Sequence, residues 1–518
     1  MNKIFKHILV FVASAAMLIG CTKNFGEMNT NPYEPETLPV KSFFPAMIDC
    51  LASPEENPCQ RNNTFWACFG GYVTAPNSWG RSTLFSTFNI DDSWSKWSAD
   101  WYFTQFYPGW FAIQRITEGK GYNYQMAQLL RVYVMQMVAS FQGPIPYTKV
   151  ANGDFYVAYD DEQTLWHAMM DDLDAAIVEI QSAAASGSSP LAGVDRVYAG
   201  NNTKWLKFAN TLKLRMAMRI SNVDPDYAKQ KAEEAVAAGV METTDDSAYD
   251  NTGSRYNNGY YTVGKGWANE VMANACITSY MNGYNDPRRE KYFIGGTAFD
   301  GAYVGVRSGI SGMNKSNYGG YANMCYYDES MKTAPMPIMF AAEAAFLRAE
   351  GALKGWNMGG SAKDFYEQGI RLSFSEWGAS GADEYIANST LTPADYTDAI
   401  TPTNNVVNKS KITIAWEEGA SVEKKLERII TQKWIAGYPI SLEAWSDFRR
   451  TGYPYIFPPK DNMSNGKVDS ELGQRRIRFS ESEYDRNAAN VKAAVDMLSN
   501  KQDEDYTDLW WAQSTKKY

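Results

Sequence analysis

Residues 337–376 read PIMFAAEAAFLRAEGALKGWNMGGSAKDFYEQGIRLSFSE. Ala341, Ala342, Ala345, Ala349 and Gly351 give the first half a face of small residues. That pattern predicts a helix over 337–354 that lets a second helix approach closely. A second helix is predicted over 361–376, where Ala362, Tyr366 and Gly369 set small, aromatic and small residues at spacings of four and three on one side. Together the two segments describe a close-packed helical hairpin.

The spacing of Ala362, Tyr366 and Gly369 is that of the second helix of a tetratricopeptide unit. It also fits any two-helix hairpin, and the rest of the chain decides between the two. From Asp92, the residues Trp94, Trp97, Trp101, Tyr102, Phe106, Trp110 and Ile113 recur at helical spacing. Further helices are predicted over 124–141, 164–185, 203–220 and 227–238, the first stopped by Gly143-Pro144 and Pro146. Downstream, 422–438 and 442–450 form another pair, and the tail to Lys501 is helical in part. Four helix pairs favour a mostly α fold: a tetratricopeptide-like α-α superhelix with large loop-rich insertions and a few short strands.

Between the helical stretches the composition changes. Residues 241–336 are rich in Gly, Asn, Tyr and Ser, with one clear helix over 266–281. Residues 57–81 are mixed and Gly/Asn-rich, ending in an expected exposed loop that carries Trp79 and Arg81. A further irregular insertion spans 380–410. Loops this long inside a compact body are seldom mere connectors. We therefore expect one body over 41–518, with a helical scaffold at about 92–240 and 337–450. A loop-rich ligand face is expected at about 57–91 and 241–336.

The first residues are of another kind. Lys3 and Lys6 precede an apolar run, Ile8 to Ile19, and Gly20-Cys21 follows. A cationic start, a short apolar run and a small residue before the cut describe a secretory signal rather than a transmembrane helix. Cys directly after Gly20 makes the stretch resemble a bacterial lipoprotein signal. That implies a signal peptide over 1–20, cleavage before Cys21 and acylation of that residue; the alternative is an ordinary signal with a chance Cys. Residues 21–40, with Pro32 and Pro35, read as a tether. No second apolar run reaches spanning length, so membrane contact would rest on the lipid.

Composition excludes several function classes. Without Lys3 and Lys6 the chain keeps 47 basic against 59 acidic residues, from 49 and 59 in the whole sequence, which argues against a nucleic-acid partner. Of two histidines, His7 lies in the leader and His167 in a predicted helix; a His-based zinc site is excluded and a triad has one candidate. The cysteines show no CxxC pattern, although a Cys50–Cys59 bridge is compatible with an exported protein. Asp91-Asp92 and Asp160-Asp161-Glu162 offer paired carboxylates, but each stands where a helix begins and reads as a cap. Asp286-Pro287-Arg288 reads as a helix-ending turn and Arg449-Arg450 as a buried ion pair. No catalytic residue, metal site or cofactor is expected.

Several stretches, in order, resemble the SusD/RagB family of nutrient-binding outer-membrane lipoproteins of Bacteroidetes. They are NTNP at 29–32, QGPIPY at 142–147, KWLKFANTLKLR at 204–215 and NDPR at 285–288. Then follow AE at 342–343 with RAEGA at 348–352, and TQKW at 431–434 with EAWSDFRRTGYP at 443–454. The resemblance implies four tetratricopeptide-like helix pairs, a loop-rich ligand face, and a binder rather than an enzyme. It also implies a partner, a TonB-dependent outer-membrane barrel (SusC-like) over which the lipoprotein sits as a lid. Ligand residues vary within the family, so no motif transfers them.

For those residues the argument is chemical. A sugar ring shows a patch of C–H bonds on one face and hydroxyls at its edge, so aromatic rings with Asn, Asp and Arg beside them suit it. Loop residues that meet the description are Asn77, Trp79 and Arg81; Tyr256, Tyr260, Tyr261 and Trp267; and Tyr318, Tyr321 and Tyr326. The expected function is capture of an oligosaccharide at the cell surface and delivery to the transporter. A lid for peptides or other nutrients is the nearest alternative, and a surface glycosidase the remotest.

Overall fold

The computed structural model describes residues 38–77, 85–90, 92–253, 255–512 and 516–518, and for 92–96 the backbone alone. Cys21 and most of the tether, Trp79, Arg81 and Asp91 therefore lie outside the described residues. In chain order the first principal helices are α1 (Phe44–Ala52), α2 (Phe65–Phe69), α3 (Asp92–Thr117), α4 (Gly121–Gln142), α5 (Glu162–Ser186), α6 (Asn202–Ile220) and α7 (Pro225–Ala238). They are followed by α8 (Ala275–Gly283), α9 (Ala341–Leu353), α10 (Ala362–Glu376), α11 (Val422–Ala436), α12 (Ser441–Thr451) and α13 (Ala488–Met497). No helix among the described residues is long and apolar enough to cross a membrane.

Local chemistry sets the helix ends. Asp161, Asn201, Ser361 and Ser421 each stand at an N-cap and accept a backbone N–H from the first turn of α5, α6, α10 and α11. Gly187 closes α5 in the left-handed conformation. From α3 to α7 each helix packs on the next; α9 and α10 form a hairpin, α11 lies against both, and α9 also meets α6, joining the two halves. The architecture is the mostly α, tetratricopeptide-like one that the sequence predicts. Its hairpin is as close as the small residues allow: a Cβ added at Gly369 would lie 2.7 Å from the Phe346 ring.

The last pair departs from expectation. Instead of folding back along α11, α12 packs mainly on α2 and α4. The Trp445 ring stacks on Trp66 at 5.5 Å, and Ser441 Oγ donates to the Asn63 carbonyl at 2.6 Å. The N-terminal stretch 57–77, expected within the loop face, is thus largely interior: a helical run over 56–69 is mostly buried beneath α12. Its Phe and Trp content favours burial over display, and its Asn residues sit in helical turns rather than in an exposed loop.

Among the described residues, three two-stranded antiparallel ribbons stitch the insertions to the scaffold: β1 (Val73–Thr74) with β3 (Met272–Ala273), β2 (Ala248–Asp250) with β6 (Met336–Met339), and β4 (Phe293–Ile294) with β5 (Asn323–Met324). β3 leads into α8 and β6 into α9. The helix predicted over 266–281 begins only at Ala275. Ala268 and Asn269 are left-handed, at φ 55° and 64°, and the Asn274 side chain caps α8 by accepting Cys276 N–H at 2.8 Å.

The carboxylate and cysteine readings also sharpen. Asp161 is a cap, but Asp160 holds the 145–148 turn, accepting from Tyr147 N, Thr148 N and Thr148 Oγ1. Glu162 is buried and accepts from Trp510 N. Cys50 and Cys59 are buried free thiols rather than a bridge. Asp286 and Arg288 form a fully buried pair that also reaches Ser373 of α10.

Candidate functional site

Two loops of the 241–336 insertion abut, and each carries a half-buried aromatic residue. The first follows the short helix Gly259–Tyr261, which Asn258 caps through Tyr261 N and ties to the Ala334 carbonyl. It then makes a wide turn over 262–266, closed by Trp267 N on the Thr262 carbonyl and Asn269 N on the Gly264 carbonyl. This delivers Trp267 half-buried at the surface. The second loop carries a 3-10 turn over 315–317, capped by the Asn314 side chain on Ser316 N, with Tyr318 half-buried just after it.

Lys315 joins the loops. Its Nζ donates to the Trp267 carbonyl at 3.0 Å and pairs with Glu270 at 2.7 Å. Gly319 lies so near the first loop that a Cβ there would sit 3.6 Å from Asn269 Nδ2. Behind Tyr318 stands Tyr321, with ring centroids 5.4 Å apart, and Phe299 meets Tyr321 at 4.9 Å. The Tyr321 hydroxyl donates to the carboxylate of buried Asp398, which also accepts from Ile400 N, Thr401 N and Asn404 Nδ2. The burial of that hydroxyl and the adjoining carboxylate push the Tyr321 pKa well above the ordinary tyrosine value. Asp398 comes from the 380–410 insertion, which is therefore a buttress of this surface.

The sequence-derived candidates separate accordingly. Trp267 and Tyr318 are both half-buried and lie on adjoining loops, Trp267 packed on the main core and Tyr318 on a smaller cluster with Tyr321. Tyr321 is buried and serves as support rather than contact. Tyr260 and Tyr326 are interior: their rings meet at 5.1 Å, and the Tyr260 hydroxyl bonds the Pro439 carbonyl. Tyr261 is also buried, its hydroxyl held by Glu329 at 2.8 Å. The half-buried ring of Tyr256 lies under the Arg255 guanidinium, which pairs with Asp49 of α1. Asn77 is half-buried, whereas Trp79 and Arg81 fall outside the described residues.

Sequence reasoning missed Asn269, Glu270, Lys315 and Asp398. Asn after two nearby glycines was a usable signal, since Asn tolerates the left-handed region better than most residues. Assigning 266–281 to a helix hid it. Nothing local marks Asp398, whose partner lies 77 positions away.

A partly open cleft lined by residues such as Phe88, Ser308, Phe457 and Gln474 shares no lining residue with these loops. Among the described residues no group of three or more His, Cys, Asp or Glu side chains is placed to hold a metal.

The SusD-like family model, described as Susd and RagB outer membrane lipoprotein, matches residues 23–512. A SusD-like protein from Bacteroides thetaiotaomicron of known structure is 52% identical, with a TM-score of 0.89 over 92% of this chain and 99% of that one. A chitin-binding SusD homolog from Flavobacterium johnsoniae is 37% identical, with a TM-score of 0.87 over 92% and 100%. A homolog from Bacteroides ovatus is also 37% identical, with a TM-score of 0.85 over 92% and 99%. A comparison with curated proteins found no match. With the family matched over nearly its whole length, this chain belongs to the SusD-like family of outer-membrane lipoproteins.

Proposed function

We propose that the protein is a lipid-anchored, surface-facing glycan binder that captures oligosaccharide non-covalently and passes it to a TonB-dependent outer-membrane barrel. The observation that carries this reading is family membership together with a relative, 37% identical over its full length, described as chitin-binding. The half-buried rings of Trp267 and Tyr318, on adjoining loops, are of the kind a sugar chain stacks on. Cys21, acylated after cleavage, is the anchor: each buried CH₂ adds about 0.8 kcal/mol, so two or three chains hold the body stably. Binding in the millimolar to micromolar range, about −4 to −8 kcal/mol, lets ligand leave for the transporter.

The test has two arms. Calorimetry against chitin oligosaccharides, followed by a glycan and peptide array, should find saturable glycan binding; binding to peptides alone would replace the ligand class. Purification from outer membranes, with intact-mass measurement, should return a barrel partner and a triacylated N-terminal Cys21. An unmodified thiol there would remove the anchor from the reading.

A further inference from the structure

Asn269 lies two residues after Trp267, faces Gly319 of the loop that carries Tyr318, and has an unusual setting. Its backbone is left-handed at φ 64°, directly after Ala268 at φ 55°. Two successive non-glycine residues in this region cost strain, and such strain collects at functional positions. The conformation is held by Asn269 N on the Gly264 carbonyl at 2.7 Å.

The side chain is oriented as well. Asn323, a buried residue of β5, donates its Nδ2 to Asn269 Oδ1 at 3.3 Å. This occupies the acceptor end of the Asn269 amide and leaves Nδ2 as a donor with no hydrogen bond among the described residues. That donor lies over Gly319, where the absence of a side chain keeps it uncovered. Trp267 precedes it by two residues and Tyr318 adjoins Gly319, so the donor shares its two loops with both candidate rings.

The charge at the joint is neutralised. Lys315 and Glu270 pair at 2.7 Å, and the same Nζ is also bonded to the Trp267 carbonyl. A uronate or sulfate on the ligand would gain little from a cation already engaged, and would face the Glu270 carboxylate.

We infer that Asn269 is a ligand-contact residue whose Nδ2 donates to a hydroxyl or acetamido oxygen of an uncharged pyranoside chain lying on Trp267 and Tyr318. The inference rests on the glycan reading above and narrows it to neutral sugars.

The test uses the full-length lipoprotein in detergent, with chitohexaose and a uronate-bearing chain of similar length as probes. Asn269→Gly removes the amide and relieves the left-handed strain, so affinity for chitohexaose should fall about five- to tenfold while the melting temperature holds or rises. Asn269→Asp keeps the shape, removes the donor and should lose as much. Gly319→Val should weaken binding by covering Nδ2. The Trp267→Ala variant serves as the reference for the reading itself. If it abolishes binding while both Asn269 variants bind as the parent does, the assignment of Asn269 is wrong and the glycan surface stands. Loss of melting temperature in step with affinity in Asn269→Gly would make the residue structural and overturn the inference. Preference for the uronate chain would overturn the neutral class. A parent protein that binds no glycan on an array removes both this inference and the reading beneath it.

Discussion

Arg450 and Glu350 meet as a bidentate pair, Nη1 to Oε1 at 2.5 Å and Nη2 to Oε2 at 2.8 Å, with both side chains about 1% exposed. Arg450 also reaches Asp447, and Asp447 pairs with Lys433 of α11 at 2.7 Å. Burial opposes the charge on Asp447, but Lys433 and Arg450 outweigh it and hold that carboxyl well below the usual range. The network locks α12 to α9 and α11. Taking one member away leaves a buried charge unpaired, which costs about 3–5 kcal/mol. Arg450→Met should therefore lower the urea midpoint sharply, and adding Glu350→Leu should restore much of the loss. A single variant that unfolds like the parent would show that the pair contributes nothing.

The α9–α10 hairpin gives a second stability test. Gly369→Ala places a methyl group 2.7 Å from the buried Phe346 ring. Overpacking of this kind costs about 1–3 kcal/mol. Trimming the ring in Gly369→Ala/Phe346→Leu should recover part of it. If Gly369→Ala alone melts with the parent, the approach of the helices is looser than the geometry gives.

What was legible in the sequence follows from range. The small residues of α9 and the Ala362–Tyr366–Gly369 spacing act within one turn or between adjacent helices, so the hairpin was readable. The cap at Asp161 was local too. The fate of the loop tyrosines was not readable, because Tyr260 and Tyr326 are buried by each other and by a carbonyl at Pro439, far along the chain. Tyr321 depends on Asp398 in the same way. Composition separated loop-rich from helical stretches, yet it could not separate a displayed tyrosine from a packed one. The helical run at 56–69 was missed because α12 covers it from nearly 380 residues downstream.

Glu162 makes stability depend on pH. Burial pushes its carboxyl up to about 7, against the pull of the Trp510 N–H and the charges of Arg476 and Arg449, and its Oε2 has no hydrogen-bond partner. The folded value lies above the unfolded one of about 4.5, so the folded state binds a proton that the unfolded state has released. This contribution therefore grows as pH falls from above 7 towards 4.5 and is lost as pH rises. Its full size is about 3 kcal/mol at most. Glu162→Gln should be the more stable protein at pH 8 and lose that advantage by pH 5. Parallel pH profiles for the two proteins would show that Glu162 ionises normally.

Tyr321 separates support from contact. Its hydroxyl lies 3.0 and 2.9 Å from the two oxygens of Asp398, and its ring lies between Phe299 and Tyr318. Tyr321→Phe keeps every ring contact and deletes one hydrogen bond to a carboxylate, worth about 1.5–3 kcal/mol. Stability should fall by that order, while glycan affinity changes less than twofold because the Tyr318 ring keeps its backing. Tyr318→Ala reverses the balance: a half-exposed ring contributes little to folding, so the melting temperature stays within a few degrees while affinity drops several-fold. Unfolding curves and calorimetry on the two variants give four numbers. A Tyr318→Ala protein that binds as well as the parent would take the Tyr318 ring out of ligand recognition, whatever Tyr321→Phe does to stability.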